Sequence, residues 1–289
     1  MTEYCIFPLG SEIVKSWVEL TWSVLFYGPP GSGKTMVAWA IVHETASMVF
    51  DLSPLAIAGA YPEKKGEEKL VASVMWVAKE YQPSVIYIDE VEKVFPGKKK
   101  GKKKKKKKKG SDPSAPNRIK KALVKWRKGW LKDDVWVLIV GCTSEPSEGS
   151  KKDLKTFFDK HIYFPFPDYS TRRLMWKTFI EEYEGKLKPD FPLSTLAHIS
   201  VGYSAGSIKQ ACKNVLTEYR KKQLEIRPLT ISEFIGPLSL THSTMDDLYE
   251  SYKKFTDHVT GDKLRRDRIE KMLKGDDDDG KNKKKKKKK

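Results

Sequence analysis

Eight consecutive residues, Gly28–Thr35, have the types and spacing of a phosphate-binding loop. The segment reads GPPGSGKT and follows the pattern G-x-x-x-x-G-K-[ST]. Glycines let the backbone curl so that several N–H groups point at phosphate oxygens, and the N-terminus of a following helix favours an anion. In such a loop the lysine reaches the outer phosphates of a nucleotide and the threonine hydroxyl binds Mg²⁺. The predicted binding residues are Gly28, Pro29, Pro30, Gly31, Ser32, Gly33, Lys34 and Thr35, the last also a metal ligand.

Two adjacent carboxylates, Asp89 and Glu90, follow the apolar run Val85–Ile88. A buried strand that ends in two charges needs a reason for them, because an unpaired buried carboxylate is costly. We predict that Asp89 holds the metal ion through water. Glu90 is predicted to be catalytic, since it can orient or deprotonate an attacking water. The alternative is a strand end that meets solvent, where both residue types are common.

A third candidate, Ser144, follows the apolar run Val135–Val140 and the residues Gly-Cys-Thr. A polar side chain at this place can point between the two motifs, toward the terminal phosphate. Ser144 is therefore also predicted to be catalytic. The alternative is again a strand end that faces solvent.

The elements that position these residues alternate between apolar strands and amphipathic helices. Such alternation predicts an α/β fold with a parallel sheet covered by helices on both faces. The predicted strands are 23–27, 49–52, 85–88, 135–140 and 162–164, and the predicted helices among them are 35–47, 70–81 and one near 118–130. From Tyr169 onward the pattern is helical only, with predicted helices at 170–184, 193–200, 204–224 and 230–238.

These patterns divide the chain into four parts. We predict an N-terminal linker 1–19, an α/β nucleotide-binding subdomain 20–167 with a disordered lysine-rich insertion 97–117, a small helical lid 168–240, and a charged C-terminal extension 241–289. The extension has helical patterns at 246–256 and 262–274. Its lysine-rich end cannot bury apolar surface, which predicts a disordered tail.

The formal net charge of +18 is concentrated in two lysine runs. Residues 98–109 hold eleven lysines and residues 281–289 hold eight. Without these lysines and Asp276–Asp279, 37 basic and 34 acidic residues remain, a net charge of +3. The body of the chain is thus nearly neutral, and the runs contain no aromatic residues for base stacking, so a nucleic-acid partner is not favoured. The runs either stay solvated without a specific partner or attach to a polyanion.

Membrane insertion and secretion are not favoured by the sequence. No apolar run approaches the roughly 18–20 residues of a membrane span, and the N-terminus lacks the pattern of a secretory signal. The three cysteines, Cys5, Cys142 and Cys212, have no disulfide or metal spacing. They are predicted to be buried, reduced thiols in a cytosolic compartment.

Together these motifs resemble the AAA family of P-loop ATPases over about residues 5–240. GPPGSGKT matches the family's Walker A segment, and PSVIYIDEVEKVF (Pro83–Phe95) resembles its Walker B region. FDKHIYFPFPDYSTR (Phe158–Arg172) resembles the stretch that leads into the helical lid. VGYSAGSIKQAC (Val201–Cys212) resembles the lid helix that faces the nucleotide. The resemblance implies ATP and Mg²⁺ bound between an α/β subdomain and a four-helix lid, with Gly206 near the adenosine.

Three further segments resemble the IQ-and-AAA-domain proteins, which are associated with the nexin–dynein regulatory complex of motile cilia. They are EYCIFPLGS (Glu3–Ser11), IAGAYPEKKG (Ile57–Gly66) and RPLTISEFI (Arg227–Ile235). This resemblance implies other dynein regulatory complex proteins as partners and a place in the cytoplasm, the cytoskeleton and the axoneme of a cilium or flagellum. It also makes acidic tubulin tails the candidate polyanion for the lysine runs. The family's upstream IQ region has no counterpart here, so we expect a short member or a fragment.

Two departures from the AAA pattern bear on turnover. The family usually has asparagine where Ser144 stands, and it has arginine fingers where this chain reads KKDLKTF (Lys151–Phe157). Lysine is a point charge rather than a planar fork, and fingers contribute about 10³–10⁵ in rate in related enzymes.

Tyr61 stands where AAA unfoldases have a pore-loop aromatic, but Pro62 and Glu63 do not complete that pattern. It is predicted to be an ordinary surface residue.

The sequence therefore predicts an ATP-binding structural or regulatory subunit of the axonemal complex, with slow or absent hydrolysis. The alternative is an active remodelling ATPase that acts on a protein substrate such as microtubules, with Glu90 as its catalytic carboxylate. A nucleic-acid-associated ATPase is least favoured, because the body of the chain is nearly neutral.

Overall fold

A parallel sheet forms the centre of the larger part of the molecule. The computed structural model describes residues 1–18, 21–63, 65–97, 115–130, 135–241 and 245–273. In these residues the strands are β1 (Ser23–Tyr27), β2 (Met48–Asp51), β3 (Ser84–Ile88), β4 (Val137–Thr143) and β5 (Lys160–Tyr163). Their order across the sheet is β2-β3-β4-β1-β5, and all neighbouring pairs are parallel. The α/β class is thereby confirmed.

Strands β1, β3 and β4 are buried along their whole length. This burial explains their continuous apolar sequences, which suit strands covered on both faces. Tyr27 is paired with Thr143, and Ile88 is paired with Gly141. The register therefore brings the carboxyl ends of these three strands to one edge, beside each other.

Helices cover both faces of this sheet. A π-helical turn (Thr2–Ile6) is followed by helices α1 (Phe7–Gly10), α2 (Glu12–Trp17), α3 (Lys34–Thr45), α4 (Gly66–Glu80) and α5 (Val91–Val94), a 3₁₀ turn (Pro116–Ile119), α6 (Lys120–Trp130) and α7 (Lys151–Phe157). One face packs alternate strand residues against α3 and the N-terminal turns, where Cys5 and Leu9 are buried. The opposite face packs against α4, α6 and α7, with Met75, Leu123 and Leu154 in its core.

A second, helical part follows β5 and has its own core. Its helices are α8 (Tyr169–Glu182), α9 (Leu193–Ile199), α10 (Ala205–Val215), α11 (Glu218–Lys222) and α12 (Ile231–Ser239). Trp176, Ile208 and Phe234 are fully buried in this core. The helix expected over 204–224 is interrupted, because the Thr217 side chain accepts a hydrogen bond from the Arg220 N–H and starts α11.

The C-terminal extension returns to the sheet. Helix α13 (Met245–Thr260) is followed by α14 (Asp262–Leu273). Tyr252 and Phe255 of α13 are fully buried in the core that also contains α4 and α7. The chain after the helical part therefore completes the core of the first part rather than that of the second.

Two expectations fall mainly outside the described residues. The lysine-rich insertion 97–117 overlaps them only at its ends, where 116–117 begin the 3₁₀ turn, and the lysine tail lies wholly beyond them. The three cysteines are buried and free, as predicted. Among the described helices, none combines the length and the apolar character needed to cross a bilayer.

Candidate nucleotide-binding site

The glycine-rich loop joins β1 to α3 at the carboxyl edge of the sheet. Gly28, Gly31 and Gly33 have φ angles of 153°, 73° and 93°, which other residues rarely adopt. A Cβ on Gly28 would lie 2.3 Å from the Phe164 carbonyl oxygen. Glycine is therefore required at Gly28 both for its backbone angle and for its close approach to the chain beyond β5.

Lys34, the first residue of α3, is buried inside this loop. Its Nζ donates hydrogen bonds to the carbonyls of Gly28 at 2.9 Å and Pro29 at 2.7 Å. Burial lowers the pKa of the Lys34 ammonium, while nearby acidic groups, including Asp89 and Glu92, act in the opposite direction. The loop thus holds a cationic donor at its centre, which fits the binding of phosphate.

The predicted metal ligands lie on adjacent elements. The Tyr87 hydroxyl donates a hydrogen bond to the Thr35 Oγ1 at 3.4 Å. The Asp89 backbone N–H donates to the Ser53 Oγ at 2.9 Å, and the Asp89 Oδ1 accepts from the Glu90 N–H at 2.9 Å. Among the described residues, no group of three or more His, Cys, Asp or Glu side chains is arranged to hold a metal. One hydroxyl and one carboxylate suit Mg²⁺, which keeps several waters and takes phosphate oxygens as its other ligands.

Glu90 has a backbone conformation that is unusual for its residue type. Its φ of 45° and ψ of 48° are left-handed, and it stands directly before α5. Non-glycine residues in this region carry strain and are concentrated at functional sites. The Glu90 carboxylate pairs with the Lys93 ammonium at 2.6 Å and is partly exposed. The structure thus places Glu90 beside Asp89 with its carboxylate held by a neighbouring lysine.

A buried carboxylate that the sequence did not single out, Glu92, lies behind this pair. Its Oε2 accepts a hydrogen bond from the Thr143 Oγ1 at 2.5 Å, and both residues are buried. Burial raises the pKa of the Glu92 carboxyl, and the Thr143 hydrogen bond opposes that rise. An acidic residue inside the apolar run VEKVF was the available signal, because a charge there needs a partner.

Ser144 lies at the end of β4, directly after Thr143. The expected strand 135–140 in fact extends through Thr143, because Gly141 and Cys142 are buried and continue the pairing. Ser144 is half-buried, and its backbone carbonyl accepts a hydrogen bond from the Tyr252 hydroxyl at 2.7 Å. The residue is therefore held through its carbonyl by α13, a contact that the sequence did not indicate.

Gly206 brings the helical part into contact with the loop. Its N–H donates to the Gly31 carbonyl at 2.8 Å. A Cβ on Gly206 would lie 3.0 Å from the Gly31 Cα, and a Cβ on Gly31 would lie 2.8 Å from the Ser204 Oγ. Close approach on both sides is possible because both residues are glycine.

An open cleft of about 500 Å³ lies beside this contact. The cleft is lined by the loop, the segment after β5, helix α8 and the start of α10, with Pro29, Ser32, Phe164, Asp168, Met175 and Ser204 among its residues. The cleft is therefore bounded by both parts of the molecule.

The stretch Lys151–Phe157, which contains no arginine, forms α7. Lys155 donates to the His258 carbonyl of α13 at 3.0 Å. Arg127 of α6 lies against this stretch, donates to the Thr156 carbonyl at 3.2 Å and pairs with Asp159. Both cations are thus bound within the chain.

Tyr61 is about half exposed, as expected of a surface residue.

Comparisons with known proteins agree with this geometry. Residues 24–166 match the family model described as ATPase family associated with various cellular activities (AAA). The chain is 36% identical over 260 residues to dynein regulatory complex protein 11 of Mus musculus, and 30% identical over 247 residues to spastin of Ixodes scapularis. These alignments cover 88% and 83% of the chain, but the chain spans only 29% and 35% of the two relatives.

A solved structure shows the same fold. The crystal structure of the FIGL-1 AAA domain in complex with ADP superposes with a TM-score of 0.67 and 21% sequence identity. The match covers 89% of this chain and 84% of that one.

Proposed function

This chain contains an AAA ATPase domain, and on that premise we propose that it binds ATP with Mg²⁺ between its sheet and its helical part. The observation that carries the proposal is the meeting of three features at one edge of the sheet. These are the glycine loop around Lys34, the carboxylates Asp89 and Glu90, and the N-terminus of α10 at Gly206. The FIGL-1 AAA domain, which has the same fold, was solved in complex with ADP, and this supports nucleotide binding by such a domain.

The chain's own residues have distinct tasks in this proposal. The loop N–H groups and the Lys34 ammonium bind the phosphates. On binding, Lys34 gives up its hydrogen bonds to the loop carbonyls of Gly28 and Pro29 and donates to phosphate oxygens instead. Thr35 and Asp89 hold Mg²⁺, the latter through water. The metal ion supplies charge neutralisation at the outer phosphates. Ligand contacts to both parts of the molecule stabilise their closed arrangement by mass action.

Hydrolysis is proposed to be slow or absent. Glu90 has a carboxylate that can orient a water, but Ser144 has a shorter side chain than the asparagine usual in the family. The α7 residues Lys151–Phe157 contain no arginine, and Lys155 is bound to α13. A second copy therefore offers no free planar cation from α7 to the terminal phosphate.

We further propose that the protein is a structural or regulatory subunit of the axonemal dynein regulatory complex in motile cilia. The 36% identity to dynein regulatory complex protein 11 supports this assignment of partners and location. The lysine runs are proposed to contact acidic tubulin tails. Co-sedimentation with microtubules that carry or lack these tails, with and without residues 98–109 and 281–289, tests that contact.

A second candidate is an active remodelling ATPase acting on a protein substrate such as microtubules. The 30% identity to spastin and the retained pair Asp89 and Glu90 favour it. It requires arginine fingers from a different subunit, because α7 supplies none.

One experiment separates the two candidates. ATP binding and steady-state hydrolysis are measured on the same purified chain, beside Lys34→Ala, Glu90→Gln and the control Lys177→Ala, an exposed lysine on α8. We expect tight binding that Lys34→Ala removes and Lys177→Ala keeps, with little turnover and no change in Glu90→Gln. Robust turnover that Glu90→Gln abolishes would favour the remodelling enzyme. Absence of ATP binding would refute both.

A further inference from the structure

Helix α13 contributes two buried aromatic residues to the edge of the sheet that carries the candidate site. The Phe255 ring packs edge-on against the Tyr27 ring at a centroid distance of 5.0 Å, and the Tyr252 ring lies 5.9 Å from that of Tyr163. Tyr27 ends β1 and Tyr163 ends β5. Helix α13 therefore covers the carboxyl ends of strands that lead directly into the site.

Two hydroxyl groups connect α13 to the ends of β1 and β4. The Tyr252 hydroxyl donates to the Ser144 carbonyl at 2.7 Å. The Thr256 hydroxyl and the Tyr27 hydroxyl are hydrogen-bonded at 2.9 Å. Tyr27 is the residue before the glycine loop, and Ser144 is the residue after β4. Each bond thus ends within one residue of an element of the candidate site.

The end of β4 is a junction of several parts of the site. The Gly28 N–H, at the start of the loop, donates to the Thr143 carbonyl at 3.4 Å. The Thr143 hydroxyl donates to Glu92, two residues after Glu90. Tyr252 holds the next carbonyl, that of Ser144. A displacement of α13 would therefore shift Thr143 and Ser144, and through them both the loop and the carboxylate segment.

We propose that Tyr252 is a positioning residue for the nucleotide site, and that docking of α13 is coupled to occupancy of the terminal phosphate position. The inference rests on the proposed function, since it requires that the chain binds ATP. Tyr252 touches no nucleotide in this scheme and acts by fixing the Ser144 end of β4. Because coupling between two sites is reciprocal, ATP must also strengthen the docking of α13.

Core packing alone does not account for the Tyr252 hydroxyl. A phenylalanine ring would fill the same apolar space, as Phe255 does one turn further along. The hydroxyl instead satisfies a carbonyl beyond the last residue of β4, which the sheet pairing leaves without a partner strand. Its removal therefore tests the bond to Ser144 separately from the apolar packing.

The test compares the affinities of the full chain for ATP and ADP in three variants. Tyr252→Phe keeps the ring and removes the bond to Ser144. Phe255→Leu disturbs the packing of the same helix and keeps that bond. Tyr249→Phe removes an exposed hydroxyl from α13 and is the matched control. We expect the preference for ATP over ADP to fall at least threefold in Tyr252→Phe, to fall clearly less in Phe255→Leu, and to stay unchanged in Tyr249→Phe.

A second measurement needs no variant. Hydrogen exchange of the α13 amides is followed in the wild-type chain without nucleotide, with ADP and with ATP, all with Mg²⁺. We expect exchange to slow more with ATP than with ADP. This readout remains decisive if Tyr252→Phe fails to fold.

The outcomes separate the two levels of the proposal. Binding of ATP with an unchanged preference in Tyr252→Phe, or with α13 exchange that does not respond to nucleotide, would overturn the coupling alone. A fall in preference of equal size in Phe255→Leu would assign the effect to packing and would overturn the positioning role. Absence of ATP binding in the wild type would overturn the proposed function, and the coupling with it.

Discussion

Two helices from outside the sheet reach the candidate site, and they contact it by different chemistry. Helix α10 contacts the loop through backbone, where the Gly206 N–H meets the Gly31 carbonyl and neither residue has a side chain. Helix α13 contacts strand ends through side-chain hydroxyls, those of Tyr252 and Thr256. The first contact depends on steric room and the second on particular polar atoms. An added methyl group should therefore break one contact, and a removed hydroxyl should break the other.

The largest effect is expected at the backbone contact. In Gly31→Ala the new Cβ would lie 2.8 Å from the Ser204 Oγ, at a φ of 73°. We expect ATP affinity to fall at least tenfold, because the new Cβ would displace the Ser204 hydroxyl that caps α10 and would lie 3.3 Å from the Gly206 Cα. The strained backbone should also lower the free energy of unfolding by about 1–3 kcal/mol. Isothermal titration and denaturant unfolding measure the two quantities.

A glycine in α12 provides the control for that substitution. A Cβ on Gly236 would have no heavy atom within 4 Å. Gly236→Ala should leave ATP affinity unchanged and should change the free energy of unfolding by less than roughly 0.5 kcal/mol, because the better helix propensity of alanine is opposed by its position directly before Pro237. Equal losses of affinity in the two variants would show that steric room at Gly31 is not the cause.

The next effect concerns the strand end that α13 holds. Thr143→Val removes the hydroxyl that donates to Glu92 and leaves a buried carboxylate without that bond. We expect the free energy of unfolding to fall by about 1–3 kcal/mol, the usual cost of a buried polar group that loses its partner. Denaturant unfolding checks this value. If Thr143→Val is as stable as the wild type, the bond does not fix the end of β4.

A smaller effect is expected at the second hydroxyl of α13. Thr256→Val keeps the shape of the side chain and removes its bond to Tyr27. The free energy of unfolding should fall by about 0.5–1.5 kcal/mol, the net contribution of one ordinary hydrogen bond. Thr260→Val, on an exposed part of α13, serves as the control. An equal loss of unfolding free energy in that variant would show that the bond to Tyr27 does not cause the effect.

The smallest effect is a dependence of stability on pH. Burial raises the pKa of Glu92 in the folded chain above its ordinary value of 4.5. Between pH 4.5 and the raised pKa of the folded chain, the folded state binds more protons at Glu92 than the unfolded state does. The stability that this group contributes is therefore lost as the pH rises from 4.5 through the raised pKa. Glu92→Gln should therefore flatten the pH dependence of unfolding above pH 4.5. Parallel curves for variant and wild type would contradict this assignment.

The predicted parts of the molecule are those whose signals are local in sequence. The loop Gly28–Thr35 and the pair Asp89–Glu90 are contiguous motifs, and the apolar run 23–27 coincides with β1. The Glu92–Thr143 and Tyr252–Ser144 bonds join residues 51 and 108 positions apart. Neither Thr143 nor Tyr252 differs in type from an ordinary strand or helix residue. Only the register of the sheet and the return of α13 bring them to the site.

Two element boundaries differ from the predicted ones, one because small residues continue a strand and the other because a polar side chain starts a new helix. The apolar pattern ended β4 at Val140, whereas the small residues Gly141 and Cys142 continue the strand because they fit against both faces of the core. The helical pattern over 204–224 ran through Thr217, whose side chain begins a new helix. In both places the hydrophobic periodicity of the sequence does not indicate where the element ends.

Thermal unfolding with and without ATP and Mg²⁺ tests the central claim most directly. A ligand present at about 100 times its dissociation constant adds about 2.7 kcal/mol of stability, which corresponds to a rise of several degrees for a chain of this size. We predict such a rise for the wild-type chain and little or none for Lys34→Ala, in which the buried ammonium of the loop is removed. No rise in the wild type, or an equal rise in both proteins, would contradict the assignment of this edge of the sheet as an ATP site.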